Sequence, residues 1–160
     1  IGAHVPDIFT IDQPRQNMRG KFLSMIRNQY GSFTPMSEYS SAKELIDAVR
    51  KHEVAIGVLS MPHIGEEVPW WPLVASQANN TPRIINRLPF ISVPEESGEN
   101  IDALVICPVP SAPTGNDHTF LIIESVSEIS QDQLATAFTQ ANIKTIFSIN
   151  ATSAKIPEGP

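Results

Sequence analysis

An uninterrupted apolar run, Val54-Ala55-Ile56-Gly57-Val58-Leu59, follows directly on an amphipathic helical pattern. A run of that length, rich in β-branched residues, suits a strand covered on both faces, as in a parallel sheet. The helical pattern opens on Ser41-Ala42-Lys43-Glu44, which reads as a capping box. In it the Ser41 oxygen takes the amide of Glu44 and the Glu44 carboxylate reaches back to the amide of Ser41. Ala42, Leu45, Ile46 and Val49 recur at helical spacing, so the pattern predicts a helix over 41–52 that ends near His52. Behind the strand come Met61-Pro62-His63-Ile64-Gly65 and then Trp70-Trp71, the only tryptophans. In an open α/β sheet the loop leaving a strand's carboxyl end is where ligands sit. His63 and the tryptophan pair therefore mark the expected site.

The rest of the chain extends the α/β pattern. Residues 4–10 read as a short strand interrupted by Pro6. Asp12 and Pro14 suit the start of a helix over 14–30, with Met18, Phe22, Met25, Ile26 and Tyr30 on its apolar face and Gly31 as its stop. Ser32 to Pro35 reads as a brief extended piece, and Pro72 to Gln77 as a short helix. Ile84-Ile85 and Leu88 to Ile91 suggest a strand that Pro89 confines to an edge or breaks. Asp102 to Cys107 predicts a second buried strand. Beyond the Pro-rich turn at 108–116 the pattern is strand (119–124), helix (130–141) and returning strand (145–149), a βαβ unit. Its helix carries a capping box at Ser130 and a hydrophobic staple, Ile129 against Leu134.

Charge and composition limit the partners. With 160 residues, 41% hydrophobic and 18% charged, the chain is globular. A net charge of -6 argues against nucleic acid and against an anionic membrane surface, both of which need a basic face. No stretch approaches the ~18 apolar residues of a membrane span. Cys107 is the single cysteine, so no intramolecular disulfide forms; a reducing cytoplasm or a cysteine-poor periplasm fits.

Catalytic signatures are sparse. The sequence holds no Gly-rich phosphate loop, no G-x-S-x-G elbow and no His or Cys pair at metal spacing, and no cofactor or metal is expected. Asp117 and His118 are neighbours, and adjacent residues on a strand point to opposite faces, which makes a poor dyad. Trp70 and Trp71 either cap the core or wall a pocket for a ring-bearing ligand. Arg83 and Arg87 lie four apart, on one face whether helical or extended, and either serves for solubility or grips a carboxylate with its planar fork.

The pattern Ser41 to Leu59, then Trp70-Trp71, then Pro82-Arg83-Ile84-Ile85-Asn86-Arg87-Leu88-Pro89-Phe90-Ile91 resembles the carboxyl-terminal half of alphaproteobacterial chorismate mutase family proteins. In those a helical mutase domain precedes a region similar to prephenate dehydratase. The resemblance implies a periplasmic-binding-protein-like fold over 1–112 and an ACT-like βαβ module, incomplete by half, over 117–160. It also implies an upstream mutase domain; a cytoplasmic location and a homodimer are further expectations. Catalysis does not carry over. Where dehydratases have a Thr-Arg-Phe motif this chain reads Ile101-Asp102-Ala103, and where they have Glu-Asn-Ser it reads Met61-Pro62-His63-Ile64. The expectation is therefore a catalytically silent domain that binds a small aromatic carboxylate through Ser41, His63, Trp70, Trp71, Arg83 and Arg87. The alternatives are a lyase with substituted catalytic groups, His63 or Asp117 serving as acid, and a structural dimerisation module.

Overall fold

A computed structural model describes residues 8–10, 19–63, 66, 69–76, 78–89, 101–110, 112–115, 117–146 and 148–149. Among them the elements are β1 (Ile8–Thr10), α1 (Arg19–Tyr30), β2 (Met36–Glu38), α2 (Ala42–Arg50), β3 (Ile56–Ser60), a 3-10 turn (Trp71–Val74), β4 (Arg83–Leu88), β5 (Ala103–Cys107) and α3 (Gln131–Gln140). The strands form one mixed sheet in the order β2-β1-β3-β5-β4. β1 pairs in parallel with both β2 and β3, whereas β5 runs antiparallel to both β3 and β4. β4 is therefore parallel to β3, and β5 is the one reversed strand between them. The fold is mixed α/β, and no described helix is long and apolar enough to cross a membrane.

Alternation along the strands divides the core in two. Leu59, Leu104 and Ile106 point to the face covered by Leu45, Ile46, Ala48 and Val49 of α2, together with Trp70 and Val74. Val58, Ala103 and Val105 point to the opposite face, under Phe22 and Ile26 of α1. The continuous apolar run predicted both-face coverage, and β3 has it. β5 is interior too, between β3 and β4. Gly57 leaves room for α2 to pack on the sheet: a Cβ there would stand 3.0 Å from Ile106 Cγ1 and 3.2 Å from Leu45 Cδ1.

Chain direction accounts for the layering. β1 leads through α1 out to β2 on one side, and β2 returns through α2 to β3 on the other side of β1. Right-handed connections that run in opposite directions along a sheet place their helices on opposite faces. The 3-10 connection from β3 to β4 continues in the same direction as the α2 connection and lies on the α2 face.

The helix ends follow local chemistry. Ser41 caps α2, accepting the Glu44 amide at 3.2 Å. The Glu44 carboxylate reaches the amide of Ser40 at 3.3 Å, and the Ser40 hydroxyl, in place of the expected Ser41 amide. α2 stops in a Schellman motif: His52 has a φ of 59° and donates to Val49 O, while Glu53 donates to Ala48 O at 2.9 Å. His52 is thus a helix-end residue. α3 has both halves of its capping box at Ser130 and Gln133 and ends in the same motif, with Asn142 at a φ of 56°.

Three expectations change. The extended piece expected at 32–35 is a turn after Gly31, whose φ is 98°, and the strand begins at Met36. The short helix expected at 72–77 is a 3-10 turn one residue earlier. The strands expected at 119–124 and 145–149 do not form among the described residues; only the helix of the βαβ unit is present. A strand needs a ladder partner for its amides and carbonyls, and none of the described residues supplies one to this segment. Phe120 to Ile123, Val126, Ile129, Ile143 and Ile146 are all exposed, and no residue of α3 is buried. Residues 4–7 of the first strand, the start of the 14–30 helix with Asp12, Pro14 and Met18, and Phe90-Ile91 lie outside the described residues.

Candidate functional site

The carboxyl ends of β3 and β4 share one edge of the sheet. Ser60, at the end of β3, is in register with Ala103, and Ala103 with Leu88, at the end of β4. The amino end of α2 lies at this edge as well, since the helix runs opposite to the strand it feeds. The strand order reverses between β1 and β3: the connection after β1 leaves towards β2 and the connection after β3 leaves towards β4. Such a switch point leaves a crevice outside the carboxyl ends of β1 and β3, the usual ligand position in open α/β sheets, with β3 as one wall.

His63 stands in the loop leaving β3, its side chain 69% exposed, with Nε2 3.9 Å from Oε1 of Glu66, a side chain only 7% exposed. A protonated imidazole therefore has a buried carboxylate within ion-pair reach. Sequence reasoning missed Glu66; the His-x-x-Glu spacing in a loop bounded by Pro62 and Pro69 was the available signal.

The tryptophans have unlike roles. Trp70 is 1% exposed and part of the α2-side core. Its indole N–H donates to the Ser60 carbonyl at 3.2 Å, where β3 ends. Of the two sequence readings, Trp70 takes the core cap. Trp71 is half-buried against the same core, and its indole nitrogen, though buried, has no hydrogen-bond partner among the described residues.

The two arginines separate. Ile84 faces Ile106 and Asn86 faces Val105, so Ile85 is an extra residue, a bulge, in β4. One inserted residue reverses the parity of every side chain beyond it. Arg83 is opposite Cys107, at the amino end of β4, while Arg87 is opposite Leu104, near the carboxyl end. The expectation of a shared face is corrected: the residues occupy opposite faces at opposite ends of the strand. Arg83 is thereby remote from His63. Arg87 stays at the carboxyl edge, where its Nη2 lies 2.7 Å from Oδ2 of Asp102, with the side chains 44% and 25% exposed. Met61 joins the same corner, its amide donating to the Asp102 carbonyl at 3.1 Å.

Ser41 contributes its hydroxyl to the cap of α2. The Glu44 carboxylate already sits over this helix end, offsetting the partial positive charge that an incoming anion would use. Among the described residues, Arg87 brings a guanidinium to this edge, paired with Asp102. Two strand spacings separate the ends of β3 and β4, roughly 10 Å, the span of a small aromatic acid.

Among the described residues, two groups titrate away from their ordinary values. Burial at the end of α1 raises the Tyr30 phenol, with the nearby Cys107 thiol adding to it. Hydrogen bonds from the Thr114 hydroxyl and amide lower the exposed Asp117 carboxyl, and the Gly115 amide adds to this. Asp117 is thus the carboxylate acceptor of its own turn. Among protein-family models, curated proteins and solved structures, none matches the chain.

Proposed function

We propose that this chain is a catalytically silent, small-molecule-binding domain related to prephenate dehydratase, holding a small aromatic carboxylate at the carboxyl edge of β3 and β4. The observation that carries the reading is the convergence there of the His63 loop and the Arg87–Asp102 pair. Arg87 supplies the planar donor fork for a carboxylate. His63, in the loop leaving β3, stands on the other side of the reversed strand from Arg87 and would meet a polar group at the ligand's other end. The half-buried Trp71 offers apolar surface, whereas Trp70 supports the site from beneath.

The sheet order, with one reversed strand between two parallel ones, supports relationship to one lobe of a periplasmic-binding-protein-like fold. The capped helix α3 supports the ACT-like reading of the segment from 117 onward. An upstream chorismate mutase domain and a cytoplasmic location belong to the same proposal. Silence rests on Asp102: an acid stands where the dehydratase motif has its arginine, and it would repel a dicarboxylate while neutralising Arg87.

The test is a thermal-shift screen against phenylalanine, tyrosine, phenylpyruvate, prephenate and chorismate, with phenylpyruvate formation followed in parallel. A ligand at ~100 times its dissociation constant adds roughly 2.7 kcal/mol. Stabilisation without turnover fits the proposal. Turnover above the spontaneous background favours the lyase reading, and no shift with any of the five rejects the ligand class.

A further inference from the structure

We draw no further inference here: the strongest candidate, the exposed apolar patch formed by Phe120 to Ile123 and the residues around α3, carries nothing because nothing in the structure shows what covers it.

Discussion

Arg87 and Asp102, fifteen residues apart in sequence, meet at 2.7 Å where β4 ends and β5 begins. The pair sits on the α2 face of the sheet at the edge where the His63 loop emerges, so the main cation of the site is held beside its own competitor. A carboxylate ligand must share or displace Asp102.

Asp102→Asn removes that competitor and keeps the side chain's size. We expect tighter binding of an aromatic carboxylate and, because the pair is partly exposed, a stability loss of no more than about 1 kcal/mol. Arg87→Ala should weaken binding with a similarly small stability change. Calorimetric titration of both variants distinguishes the effects; weaker binding by Asp102→Asn would mean that Asp102 helps hold the ligand.

The tryptophan pair should divide cleanly in denaturation experiments. Trp70→Ala opens the core and should cost about 3–5 kcal/mol. Trp70→Phe keeps most of the packing but loses the bond to the Ser60 carbonyl, a cost of about 1–3 kcal/mol. Trp71→Phe removes a buried donor that has no partner among the described residues and should be close to neutral or stabilising. Equal losses for the two Phe variants would contradict this assignment.

Gly57→Ala should destabilise by about 1–3 kcal/mol, since the added methyl meets Ile106 and Leu45 across a closed layer. Urea unfolding measures it. A neutral result would mean that α2 can move away from β3 without loss.

Local patterns were readable wherever the chain answers to its own neighbours. The capped start of α2, the both-face burial of β3 and the edge position of β4 ahead of Pro89 all follow from short stretches of sequence. The separation of Arg83 from Arg87 was hidden because spacing fixes a shared face only in an unbroken strand, and the bulge at Ile85 is set by pairing with β5. Trp70 was legible as a core cap or a pocket wall, and burial decides for the cap. The strand pattern at 119–124 stands on composition alone, and a strand exists only when another lies beside it.

Acid should loosen the turn at 114–117. The Asp117 carboxyl titrates below its ordinary value when folded, so its contribution is complete above the unfolded value and is lost as pH falls through the folded one. Amide resonances of Thr114 and Gly115 should titrate with a midpoint below that of a free aspartate, and Thr114→Ala should raise it. A midpoint at the free value would show that the hydrogen bonds do not persist.

The central claim is that an aromatic carboxylate binds at the carboxyl edge of β3 and β4. Two-dimensional NMR of the labelled chain, titrated with phenylpyruvate and with phenylalanine, tests it most directly. The account predicts saturable shifts at Met61, His63, Arg87 and Asp102, enhanced in Asp102→Asn, with Arg83 and Cys107 unmoved. Shifts centred on Arg83 and Cys107, or none at millimolar ligand, would contradict it.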